Sequence, residues 1–370
     1  MSNKASQQGL SLIEMLIGVL IGMLTTVVVF HAFSLNERQK RVTTGAADTQ
    51  TNGALALFSL ERDIRMAGFG LETDFAAKCN TTYSYFDNGG GAAGPIPGMD
   101  AVAPLIITDG GGSSDRVAIV YFSDPADSSF SMPSSTTLSR TMPQPSAELD
   151  VKSTDGCKEN SLAIVQQAGS CMVMEITQVQ DSALKVQHNA GGAGTAAKPV
   201  YNPKNPYMVD NNWPAFAKDA VVRCGISRPL QRTYQLNATR ELEVADAGAA
   251  ALSLAPEIVS LQAQYGISDT ANSNKVTAWT DATGAWAATA LTRELGKRIK
   301  AARVAVVARS SEYEKPEPGQ GCATTTQAML DAWSGWADFS SVKALPDWQC
   351  YRYKAFETVI PLRNMLWAAF

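Results

Sequence analysis

Histidine is almost missing from this chain: His31 and His188 are the only two in 370 residues. Nucleophilic triads and histidine-rich metal centres therefore have almost no raw material, and no catalytic residue, metal or cofactor is expected. Charge is also sparse, at 18% of residues with a formal net charge of −4. That balance leaves no basic face for nucleic acid. The six cysteines, Cys79, Cys157, Cys171, Cys224, Cys322 and Cys350, contain no CxxC pair, the close spacing that zinc sites and thioredoxin-like centres need. No proline occurs before Pro95, so nothing breaks a helix in the first quarter of the chain. No internal repeat and no clear domain boundary is visible.

An even, dispersed set of cysteines reads as disulfides in an oxidising compartment. Six buried thiols in a cytosolic protein is the competing reading until the N-terminus is considered. There, residues 15–30 are apolar apart from Thr25 and Thr26, and the run from Met15 to Asn36 carries no charge. As a helix rising about 1.5 Å per residue, it is long enough to cross a hydrocarbon core of about 30 Å. A secretory signal peptide would carry a basic n-region, a shorter apolar core and a small-residue cleavage site. Here only Lys4 precedes the run and no A-x-A site follows it. Flanking charge does not settle orientation, with Lys4 on one side and Arg38, Lys40 and Arg41 on the other. The cysteines place the large C-terminal part outside the cytoplasm.

One residue is out of keeping with that run. Glu14 sits at its head, in "GLSLIEMLIGVLIGML" (9–24), where an unpaired carboxylate in lipid costs on the order of 3 kcal/mol. A polar leader ending in Gly9, an apolar residue after it, a glutamate five residues into the remaining chain and an unbroken apolar helix resemble the class III signal of type IV prepilins and pseudopilins. The resemblance implies cleavage by prepilin peptidase between Gly9 and Leu10 and N-methylation of Leu10. It also implies an assembly role for Glu14, with Leu10 standing where Phe is usual. "LERDIRMAGFG" (60–70), "SSDRVAIVYF" (113–122), "IVSLQAQYGI" (258–267) and "FETVIPLRNMLW" (356–367) resemble the PilW family of minor pilins, relatives of the J-type pseudopilins of type II secretion.

The resemblance implies an α+β, type IV pilin-like fold: a leader (1–9), a transmembrane part of the N-terminal helix (10–36), its amphipathic continuation (37–70), and a β-rich periplasmic domain on an antiparallel sheet (71–370). The residues agree with that layout. Leu57, Leu60 and Ile64 recur at helical spacing, whereas residues 39–53 are polar and hold Gly45 and Gly53, each costing about 1 kcal/mol in a helix. Gly68 and Gly70 offer a C-terminal stop. Gly18 and Gly22 form a GxxxG step for close helix packing. Residues 116–122 read as a central strand, and 258–267 alternate as a half-buried one. Residues 303–309 and 351–360 read as later strands, separated by Pro- and Gly-rich loops at 89–98, 190–206 and 314–321.

Three other patterns point to structure ahead of function. Residues 89–94 spell G-x-G-x-x-G, but Pro95 and Pro97 follow, so a loop is the expectation rather than a dinucleotide site. Asp269, Asn272, Asn274 and Asp281 lack EF-hand spacing and read as an exposed turn more than a calcium site. Trp279, Trp286, Trp333, Trp336 and Trp348 read as core or subunit packing ahead of a carbohydrate site. Cys322 and Cys350 are expected to bridge and close the loop between them, worth about 3 kcal/mol by chain entropy. The pairing of the other four stays open.

The expected role is a non-enzymatic minor pilin that waits in the inner membrane with its domain in the periplasm, helps prime pilus assembly and stays near the tip. Its partners would be prepilin peptidase, the other minor pilins and the major pilin, the inner-membrane assembly platform and, through the N-terminal helix, lipid, but no nucleic acid. A J-type pseudopilin and an uncleaved, membrane-anchored periplasmic binding domain are the alternatives.

Overall fold

The computed structural model describes residues 11–69, 79–87, 89, 93–99, 102–122, 134–145, 148–190, 200–314, 316, 319–333 and 335–366. It opens on a single helix, α1, Leu12–Met66, of 55 residues. The helix starts where Ser11 takes an extended conformation and its hydroxyl accepts from the Ile13 N–H. The Glu14 carboxylate reaches back to accept from the Ser11 N–H at 3.0 Å. Together these form a capping box that satisfies two backbone donors at the helix start. Inside the apolar run, the Thr25 and Thr26 hydroxyls donate to the carbonyls of Ile21 and Gly22, so no side-chain donor faces outward. The helix ends at Met66, and Gly68 follows at φ +76° with its N–H on the Val120 carbonyl. Gly70 lies outside the described residues.

The second half of α1 is seated on two sheets. One is antiparallel and four-stranded, in the order Ala278–Thr280, Ile258–Ile267, Ile299–Arg309, Tyr353–Pro361. The other is five-stranded, in the order Leu252–Ala255, Leu242–Asp246, Pro229–Leu236, Arg116–Phe122, Leu105–Thr108. Leu60 and Ile64 enter the common core with Ile119, Tyr234, Leu261 and Val304. The buried stripe of the helix is Gly45, Thr49, Gly53, Ala56, Leu60 and Ile64; Leu57 is only partly buried. The two glycines, taken from sequence as weak points, are close-approach positions. A Cβ on Gly53 would stand 2.1 Å from Cε2 of Phe356, and one on Gly45 3.2 Å from Cβ of Ser310. The helix cost of glycine is offset by letting the backbone lie directly against the sheet.

The strand Ile258–Ile267 departs from expectation in a second way. All ten of its residues are buried, because its outer face is also covered. Val259, Ala305 and Val307 pack there on Leu330, Phe339 and Val342, with Trp333, Trp336 and Trp348 around them. The alternating polar side chains are retained by hydrogen bonds: Gln262 donates to the Ser113 carbonyl at 2.9 Å, and Gln264 pairs with Asp281 and Arg303. Asp115 completes the seam between the two sheets, accepting from the N–H groups of Gly110 and Ala263 at 2.9 and 2.7 Å. Burial pushes its carboxyl up to about 6, against those two hydrogen bonds.

A second group of strands has its own cores. Its five-stranded sheet runs Thr81–Tyr83, Ser170–Glu175, Leu162–Gln167, Val221–Ile226, Ser134–Thr137, with one parallel pair between the first two. A small sheet of Leu149–Asp150, Lys185–Gln187 and Gln178–Gln180 accompanies it. Two apolar clusters, around Val165, Met172 and Phe216 and around Ile164, Val173 and Tyr201, cover its faces. All six cysteines are bonded. Cys79–Cys171 and Cys157–Cys224 lie in this region, and Cys322–Cys350 closes the segment that covers the helix-bearing sheet.

The glycine seat makes a direct prediction. Gly53→Ala forces a methyl into the Phe356 ring and should destabilise the domain by about 1–3 kcal/mol, the usual cost of overpacking. Adding Phe356→Leu should recover much of the loss, and Gly18→Ala, which meets nothing within 4 Å, should be neutral. Thermal unfolding of the three variants checks this; an unchanged Tm for Gly53→Ala would remove the close-approach account.

Candidate assembly site

The site is α1 itself, free at one end and clamped at the other. Every large apolar side chain named between Leu12 and Phe33 is more than half exposed, from 52% at Ile17 to 82% at Leu12. None of the described residues covers this face. Among the described residues, α1 is the one helix long and apolar enough to cross a membrane, with a mean hydropathy of 2.4 in its apolar window. Gly18 and Gly22 lie one turn apart with open space beside both. Gly9 and Leu10 lie outside the described residues. Glu14 is held in its own chain by the Ser11 N–H and sits in the first turn, where the positive end of the helix dipole favours a carboxylate.

At the other end, the strongest fastening is one that sequence reasoning missed. Asp63 is 3% exposed yet carries a carboxylate. One oxygen accepts from Arg62 Nε at 2.9 Å; the other accepts from the Tyr234 hydroxyl at 2.6 Å and Arg232 Nη1 at 2.9 Å. Arg232 also forks onto Asp246 at 2.7 and 3.1 Å, so its guanidinium ties the helix to two neighbouring strands. Burial alone would raise the Asp63 carboxyl. The hydrogen bonds from Tyr234, Arg62 and Arg232 outweigh burial and hold it below the usual carboxylate range. Burial first, and then the bond to Asp63, push the Tyr234 hydroxyl upward. The clue was available: Asp63 falls three residues after Leu60, on the same helical face as Leu60 and Ile64.

The remaining candidates scatter. His31 is on the exposed helix and His188 is buried in the other strand group. Residues 90–92 of the glycine-rich run lie outside the described residues. Asp269 accepts from the Thr277 hydroxyl, and among the described residues no group of three or more His, Cys, Asp or Glu side chains is placed to hold a metal. Trp286 packs beside the main core and Trp333, Trp336 and Trp348 beside the outer cluster. Trp279 and Trp336 flank the Arg303 guanidinium at 5.0 and 4.5 Å. Cys322 and Cys350 are joined to each other.

Residues 226–364 match the model of the PilW family, described as type IV pilus-assembly protein W. The matched stretch holds the residues that seat the helix: Arg232, Tyr234, Asp246, Ser310 and Phe356. Over that stretch the chain is similar to the PilW family of type IV pilus-assembly proteins. Among solved structures, a type IV-like pilin from Thermus thermophilus is similar at 10% identity, covering 84% of this chain and 95% of that one with a TM-score of 0.32. No curated protein sequence matches the chain.

A depressed carboxyl such as Asp63 contributes stability that is present above its unfolded value, near 3.8, and is lost as pH falls through its lower folded value. Asp63→Ala should therefore cost about 3 kcal/mol at pH 7, as when one partner of a buried pair is removed. The gap to wild type should stay constant from pH 7 to about 5 and shrink below about 4. Denaturant unfolding at several pH values measures it. A gap that is negligible at pH 7, or that widens in acid, contradicts the assignment.

Proposed function

We propose that this pilin is made as a precursor with a leader (1–9), is cut after Gly9 by prepilin peptidase and N-methylated at Leu10. It then waits in the inner membrane with residues 10–36 in lipid, residues 37–70 as the connecting helix and the domain (71–370) in the periplasm. It joins other minor pilins on the assembly platform to prime the pilus and stays close to the tip next to the major pilin. The observation that carries this reading is the exposed apolar half of α1, headed by a carboxylate and covered by none of the described residues. Three disulfides support a periplasmic domain.

Glu14 has a chemical task in this scheme. Cleavage would give each subunit an amine at Leu10 and a carboxylate at Glu14, one turn apart. Inside a bundle of apolar helices the low dielectric strengthens their pairing and makes an unpaired charge costly. Among the described residues the carboxylate accepts the Ser11 N–H; an amine, from a neighbour or its own chain, would supply the countercharge. Gly18 and Gly22 would let the helices approach.

Glu14→Ala tests this. The periplasmic domain should stay folded and membrane insertion should be no worse, because a charge has left the apolar run. Cleavage after Gly9 should persist. Since breaking one side of a buried pair costs about 3 kcal/mol or more, the variant in sheared pili should fall at least about tenfold on immunoblots. Wild-type levels in the pilus fraction would overturn the docking role, and degradation of the variant would make Glu14 a folding residue instead.

A further inference from the structure

The middle of α1 has little of its own to hold it. Residues 39–53 are polar, and Thr43, Thr44 and Gly45 are poor helix formers. Between residues 41 and 52 only Gly45 and Thr49 are buried. Lys354 reaches Gln50 at its far end, and what covers residues 41–48 is a short strap, residues 310–314. Ser310 Cβ approaches the position a Cβ on Gly45 would take to 3.2 Å. The Ser311 hydroxyl donates to Asp48 at 3.1 Å, and Glu312 stands 3.9 Å from the Arg41 guanidinium.

The strap is fastened in turn to one place. The Glu314 N–H donates to the Cys350 carbonyl at 2.9 Å. The Glu314 carboxylate accepts from the Arg352 guanidinium on both oxygens and from the Thr324 hydroxyl. Cys322 Sγ lies 3.9 Å from the Glu314 carbonyl, and the Tyr313 ring meets Tyr351 edge-on at 5.7 Å. Ser310 exchanges hydrogen bonds with the backbone of Arg352 at 2.8 and 3.1 Å. Residues 322–325 and 349–352, which supply these contacts, are the two arms joined by the Cys322–Cys350 disulfide.

We propose that the Cys322–Cys350 disulfide is a positioning element for α1: it anchors the strap of residues 310–314 that keeps the glycine-containing middle of the helix folded and docked. The Leu60–Ile64 end of the helix has its own fastenings in the apolar core and at Asp63, so the two halves of the docked helix are held independently. This holds whether or not the chain is cleaved and assembled as proposed above.

Hydrogen exchange read by mass spectrometry on the full chain in detergent micelles tests it at peptide level. In Cys322→Ser/Cys350→Ser, amides of residues 41–50 should exchange at least about tenfold faster than in wild type, while those of 56–66 stay protected. Unchanged protection at 41–50, or an equal acceleration of both segments, overturns the proposal. Should the double variant fail to accumulate, Glu314→Ala with all three disulfides intact decides the matter. It loses the Arg352 and Thr324 contacts of the strap and should accelerate 41–50 alone; retained protection there overturns the proposal.

Discussion

A helix that is apolar on every side for half its length cannot satisfy itself. The first half of α1 leaves large side chains more than half exposed from Leu12 to Phe33, and none of the described elements folds back to cover them. At about 25 cal/mol per Å² of apolar surface, that face needs lipid or other apolar helices as its surroundings. The second half meets the opposite constraint. It must keep the domain attached to a helix whose environment is set elsewhere, and it does so through one narrow stripe. A capped start, an uninterrupted 55-residue rod and a tight seat at its far end all follow from that division.

The seat combines three kinds of contact, each with a different physical basis. Gly45 and Gly53 give up helix propensity so that Ser310 and Phe356 can press against the backbone. Leu60 and Ile64 supply apolar burial in the common core. Asp63 supplies direction, since a buried carboxylate is tolerated only where Arg232, Arg62 and Tyr234 meet it. Ser310, Phe356, Arg232 and Tyr234 fall inside residues 226–364, the stretch that matches the PilW model, whereas Ile119, which meets Leu60 and Ile64 in the core, does not. The strands between Thr81 and Glu175, with two of the three disulfides, fall outside it. The matched stretch thus supplies most of the helix seat, completed by the strand Arg116–Phe122, whose Ile119 enters the core and whose Val120 carbonyl accepts from the Gly68 N–H.

Much of this was legible in residue order because periodicity reports which faces are apolar. The uncharged run, the strand Arg116–Phe122 and the later strands Ile299–Arg309 and Tyr353–Pro361 follow from runs and alternation alone. The glycines were misjudged because helix propensity is local, whereas the value of Gly53 depends on Phe356, three hundred residues away. The strand Ile258–Ile267 looked half-buried because Ser260, Gln262 and Gln264 are polar. Pattern cannot show that a separate segment, residues 327–348, covers that face, or that the Ser113 carbonyl, Asp281 and Arg303 meet the two glutamines. Glu14 was legible as an anomaly, but not as half of a capping box with Ser11, since an apolar run draws attention to the charge and away from the serine before it. Asp63 was hidden by its neighbours Glu61, Arg62 and Arg65, which make it look like one more surface charge.

The account stands on the apolar half of α1 leaving the membrane as part of an assembled filament. The most direct measurement is the mass of the wild-type chain recovered from sheared surface pili, with its N-terminal peptide sequenced. A chain beginning at methylated Leu10 and present in the pilus fraction is what the account requires. A full-length chain beginning at Met1, found only in the inner membrane, would contradict it.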